Sequence, residues 1–152
     1  MKKLLLPAIA ALLLLPLHNA AAKGKTYGEF KPNYKFTFKV EEVISAEASL
    51  LTGTSKKAKI PKGLPKYKKG QKVKFKIGRK GELIARGTKI PFLADGGTSN
   101  AYNKVTTGSK PKTDTATVFK ANGKATGVAL YYVRITGKAF SMKTYTLTYT
   151  LR

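Results

Sequence analysis

The chain has no cysteine, a single histidine and only seven carboxylates in 152 residues. Without cysteine there is no disulfide, no thiolate metal ligand, no cysteine nucleophile and no lipidated cysteine to tether the protein to a membrane. Stability has to come from packing, and oxidising surroundings neither help nor harm such a chain. The histidine, His18, lies in a segment expected to be removed, which leaves the remaining domain without an imidazole for acid–base work. The carboxylates (Glu29, Glu41, Glu42, Glu47, Glu82, Asp95 and Asp114) are scattered, and the adjacent Glu41 and Glu42 would point to opposite faces of a strand. Ser109-Lys110 and Ser141-Met142-Lys143 carry no mark of an activated nucleophile. Asp95-Gly96-Gly97-Thr98 offers one carboxylate where a calcium loop needs several, and is expected to be a tight turn. These absences predict a protein that is not an enzyme. We expect no catalytic residue, no metal site, no cofactor and no small-molecule substrate.

A long hydrophobic run is also missing. The longest apolar stretch covers positions 4–17, short of the roughly 20 residues of a spanning helix. It follows Met1-Lys2-Lys3 and precedes Asn19-Ala20-Ala21-Ala22, the order of a positive n-region, an h-region and a small-residue cleavage site. We expect residues 1–22 to be a signal peptide and residues 23–152 to form a single basic domain that is secreted or periplasmic.

Positive charge is what the chain has in abundance. Thirty lysines and arginines give a formal charge of +23, which becomes about +21 without Lys2 and Lys3, beyond what solubility requires. Twelve of these cations fall between positions 56 and 80, where no acid occurs. The candidate anion-binding residues are Lys56, Lys57, Lys59, Lys62, Lys66, Lys68, Lys69, Lys72, Lys74, Lys76, Arg79 and Lys80, with Tyr67 among them to stack on a base or sugar ring. Lysine outnumbers arginine heavily, and lysine is a hydrated point charge rather than a bidentate fork. That bias predicts diffuse, salt-sensitive attraction rather than a shaped phosphate pocket. The bland reading competes evenly: edge lysines protect sheets and keep proteins soluble.

Alternation dominates the chain. Tyr34 to Val40, Lys72 to Ile77 and Thr144 to Leu151 each alternate apolar and polar residues, the pattern of half-buried strands. Positions 128–135 are apolar except for Arg134, which predicts a central strand buried on both faces. Asn122-Gly123 between 115–120 and 126–135 is a hairpin sequence, and Gly78-Arg79-Lys80-Gly81 is a turn leading into 82–86. Asp95-Gly96-Gly97 closes the apolar run 90–94. Val40, Val43, Ile44, Ala48 and Leu51 fit helical spacing, but the preceding strand could equally run on through a bulge, and we favour strand. Segments 52–70 and 96–112 are expected to be long loops, of the kind that is functional or mobile.

The expected fold class is all-β, an antiparallel β-sandwich (Ig-like) or small β-barrel of about six to eight strands. The expected function is association of a lysine-rich face with an anionic glycan, a lipid head group or extracellular nucleic acid. The alternatives are a structural, envelope-associated domain without a specific ligand, and a small outer-membrane β-barrel. Lipid-facing bands of such a barrel should contain few lysines, and the chain ends on Leu151-Arg152 without a terminal aromatic.

Overall fold

The computed structural model describes residues 26–49, 51–137 and 141–152. The expected signal segment and His18 lie outside them. The described residues are all-β and antiparallel, and among them are ten strands rather than six to eight. These are β1 (Lys35–Ser49), β2 (Ser55–Lys57), β3 (Lys72–Ile77), β4 (Leu83–Ala85), β5 (Thr88–Ile90), β6 (Phe92–Asp95), β7 (Ser99–Thr106), β8 (Lys112–Ala121), β9 (Lys124–Thr136) and β10 (Lys143–Leu151).

Their order is β5-β4-β3-β1-β10-β9-β8-β7-β6, with β2 added beside β1. The two ends of this path, β5 and β6, are consecutive in the chain and separated only by Pro91. The sheet therefore curls into a nearly closed barrel. Proline suits that seam because it has no N–H to leave unpaired, while its carbonyl still accepts the Asn103 N–H at 3.0 Å.

β1 links the two halves of the barrel. Lys35 to Lys39 pair with β3, Val40 to Ser49 pair with β10, and the register shifts between Val40 and Glu42. The strand thus runs on through a bulge, and the helical spacing of 40–51 is accidental. A bulge at this point bends and twists the strand, so that one chain segment serves both halves.

The pleat delivers the predicted alternation. Tyr145, Leu147, Tyr149 and Leu151 of β10 point into the barrel with Val73, Phe75 and Ile77 of β3 and Val40 of β1. β9 departs from expectation: Val128, Leu130 and Tyr132 are buried, but Tyr131 is 42% exposed. Its apolar run is half-buried, with alternate apolar residues outside. The Asn122-Gly123 hairpin forms as expected, with φ of 51° and 70° at the two turn residues.

Both expected loops prove more ordered than that. Segment 96–112 contains all of β7, and 52–70 contains β2. The rest of 52–70 is anchored by Leu64 and Tyr67, both buried. The Tyr149 hydroxyl donates to the Pro65 carbonyl at 2.6 Å and accepts the Tyr67 N–H at 3.2 Å. The two rings meet edge-on at 5.0 Å.

A second plug comes from the N-terminal side. Tyr27-Gly28-Glu29-Phe30 is a tight turn with φ of 56° and 75° at its centre, and it buries Tyr27 and Phe30. Asn100 on β7 donates to the Tyr27 and Gly28 carbonyls at 3.1 and 2.9 Å. Lys120 on β8, whose side chain is 1% exposed, donates to the Gly28 carbonyl at 3.1 Å and to Asp95 Oδ1 at 2.7 Å.

Candidate functional site

The predicted cationic residues do not form one patch. Lys72, Lys74 and Lys76 project from the outer face of β3, because Val73, Phe75 and Ile77 occupy its inner face. Register then brings β1 alongside, with Lys35 directly opposite Lys76, Thr37 opposite Lys74 and Lys39 opposite Lys72. On the other side of β3, Lys76 pairs with Ile84, and Ile84 with Lys89. The outer wall of this half of the barrel is therefore a lysine ladder. A shallow groove of about 510 Å³ runs over it, lined by Lys35, Lys74, Lys76, Ile84 and Arg86.

Among the described residues, no carboxylate lies within ion-pairing distance of Lys35, Lys39, Lys72, Lys74, Lys76 or Lys89. Like charges directly opposite on neighbouring strands destabilise a sheet. The ladder thus opposes the stability of the fold and leaves a dense row of unneutralised ammonium groups facing water. Such a row attracts anions by releasing their counterions.

The other candidates lie elsewhere. Lys56 and Lys57 are on β2, where Lys56 approaches Glu47 at 3.8 Å. Lys66 joins Lys57 and Lys59 around a second shallow groove beside Val43 and Ser45. Lys68, Lys69, Arg79 and Lys80 are exposed on turns, with the Lys68 and Lys80 N–H groups donating to Gln71 and Glu82. Tyr67 leaves the candidate set on physical grounds. Its ring is 3% exposed and packs on Tyr149, with the Arg86 guanidinium 5.3 Å from its centroid. No base or sugar reaches it.

Lys59 and Lys62 contribute to a separate pocket of about 360 Å³ at one end of the barrel. Lys110, Lys112 and Arg134 complete its cationic lining, and Pro61, Pro111, Ile135 and Tyr145 form apolar walls. Lys112 and Arg134 stand directly opposite each other, and Asp114 relieves that repulsion with an Arg134 contact of 2.7 Å. Glu47 is held by Lys143 at 3.3 Å. Ser45 donates to the Ala58 carbonyl and accepts the Tyr145 hydroxyl at 2.8 Å, which fixes the lysine loop beside this mouth. The mouth has room for one carboxylate or phosphate with a small apolar substituent.

Sequence reasoning missed Lys35, Lys39 and Lys89 of the ladder and Lys110, Lys112 and Arg134 of the mouth. Arg134 carried one signal, as the lone charge in an apolar run. Lys35 and Lys39 carried another, as polar positions of the alternating run 34–40, and the rest carried none beyond charge.

Lys120 is the most buried charged side chain of the ion pairs among the described residues, and its pairing with Asp95 is structural. Burial works to raise the Asp95 carboxyl, but its bonds to Lys120 and the Gly97 N–H outweigh that and hold it below the ordinary carboxylate value. Burial pushes the Tyr102 phenol up to about 12, which keeps it neutral. Among the described residues, no three histidine, aspartate or glutamate side chains cluster as metal ligands.

The described residues thus form a ten-stranded antiparallel, nearly closed β-barrel-like sheet with one lysine-covered wall and a cationic mouth. No protein-family model, curated protein or solved structure matches it.

Proposed function

We propose that the protein is an exported, non-enzymatic module that associates with anionic polymers or envelope surfaces through the outer wall of β1, β3, β4 and β5. The observation that carries this reading is the cross-strand lysine ladder, in which Lys35 faces Lys76 and Lys39 faces Lys72 with no ion pair to a carboxylate among the described residues. Edge protection needs one or two lysines on a terminal strand. It does not need opposed lysines on β1 and β3, which are interior to the strand order. Polyphosphorylated lipid head groups, acidic glycans and extracellular nucleic acid all present the repeating negative charge that such a ladder would bridge.

Heparin and double-stranded DNA serve as probes. DNA affinity should fall with salt on a logarithmic slope of roughly −4, the value for four or five neutralised phosphates. Replacing Lys72, Lys74 and Lys76 with glutamine should lower that slope by about 3, since each lost phosphate contact removes close to one unit. An unchanged slope in the variant, or wild-type retention only at very low salt, would reject the ladder as a site. Equal tolerance of charge swaps across 56–80 would instead support a structural domain without a ligand.

A further inference from the structure

The other half of the barrel wall has the opposite character. Outward positions on β1 beyond the bulge, and on β10, β9, β8 and β7, form a grid set by register. Ile44, Thr148, Tyr131, Thr115 and Asn103 make one cross-strand row. Ala46, Thr146, Val133, Thr113 and Val105 make the next. Thirty of the 152 residues are lysine or arginine, yet none stands in either row between β1 and β7; the nearest, Lys57 of β2, flanks Ala46 at the β1 end of the second row. Four of the seven large exposed apolar side chains among the described residues lie here: Val105 is 59% exposed, Ile44 51%, Phe119 46% and Tyr131 42%. Glu42, beside Thr150, and Lys57, beside Ala46, are charges at the edge of the grid.

We infer that two copies of this chain pair back to back through this uncharged wall. Charge selects the occupant. A body of about +21 repels its own copies everywhere lysines are exposed, and this wall is where two copies meet without opposing cations. Threonine and tyrosine hydroxyls both donate and accept, so identical surfaces related by a two-fold axis can bond to each other. Area sets the strength. A barrel wall is convex, so about four strands can touch, giving a strip of roughly 19 by 23 Å from strand spacing and rise. That is about 440 Å² per copy, near half of a standard interface, which predicts weak, micromolar-to-millimolar pairing. Back-to-back pairing leaves both lysine ladders facing outward, so that one dimer could bridge two anionic strands.

The full-length chain, purified as expressed, should be followed by sedimentation equilibrium between 10 mM and 0.5 M NaCl at up to 1 mM protein. The expected result is a monomer at low salt whose apparent mass approaches double at high salt, the reverse of the salt response of polyanion binding. Tyr131→Lys with Val133→Lys should weaken pairing at least tenfold, and Ile44→Lys on a different strand should act in the same direction with unchanged circular dichroism. The glutamine variant at Lys72, Lys74 and Lys76 should bind heparin less while pairing at lower salt, so the two readings fail separately. Monomer at every salt and concentration would overturn the inference. So would a dimer indifferent to these lysines, or a monomer whose wall instead binds an uncharged polysaccharide such as dextran.

Discussion

Replacing Lys72 and Lys76 by glutamine should make the fold more stable while making it a poorer binder of polyanions. Each of these lysines faces another across the β1–β3 pair, Lys39 and Lys35 respectively. Long side chains splay, so we take the ammonium groups to be about 7 Å apart, where two unit charges in water repel by about 0.6 kcal/mol. Screening with a Debye length of about 30 Å at 10 mM salt leaves about 0.5 kcal/mol per pair, and one of about 8 Å at 0.15 M leaves about 0.25. Repulsion along β3 is largely present in the unfolded chain too and drops out of the difference. The double variant should therefore gain about 1 kcal/mol at 10 mM and about 0.5 kcal/mol at 0.15 M, and almost nothing at 1 M. Urea titrations at the three salts measure this, and DNA binding should show a salt slope smaller by about 2. A gain independent of salt would mean that packing, not charge, had changed. A loss of stability would refute the opposed-lysine account altogether.

Three further substitutions probe the scaffold. Tyr149→Phe removes the hydroxyl shared by the Pro65 carbonyl and the buried Tyr67 N–H, and should cost about 1–3 kcal/mol in urea unfolding, with faster proteolysis of 56–69. Gly28→Ala combines a positive φ with a Cβ placed against the Asn100 side chain, so thermal unfolding should register a loss of about 1–3 kcal/mol. Asp95→Asn should matter at neutral pH and cease to matter in acid. The folded carboxyl titrates below its ordinary value of 3.8, so its contribution is present above that pH and lost as pH falls through the lower folded value. Asp95 is partly exposed, so the neutral-pH difference should be modest, about 1 kcal/mol or less. A wild-type-to-variant gap that widened on acidification would contradict the Lys120 pairing.

Legibility varied with how local each signal was. Strands with apolar inner faces, such as β3 and β10, were visible as alternation, and Asn122-Gly123 marked its hairpin. β7 was not visible because its inward residues include Asn100, which is buried by bonding to carbonyls 72 and 73 residues away rather than by being apolar. β4 to β6 are three or four residues long, too short for a period to emerge. The run at 128–135 was over-read as doubly buried, since its outward Tyr131 is exposed and its outward Val133 only half-buried. Nothing in the sequence sets Lys120 apart from the other lysines, yet β8's pleat turns it inward beneath the Tyr27–Phe30 turn.

From the sequence alone follow the all-β class, the alternation of each long strand and the excess of positive charge. These depend on composition and on the two-residue pleat, which are properties of a chain and its immediate neighbours. Only the tertiary structure decided which cations stand together. Register set Lys35 and Lys39 against Lys76 and Lys72, carried Lys59 and Lys62 to the mouth beside Arg134, and buried Tyr67. It also gathered the threonines and exposed apolar residues of five strands onto a wall without lysines. The pleat fixes which way a side chain points, but which strand lies beside it is a long-range outcome of closing the barrel.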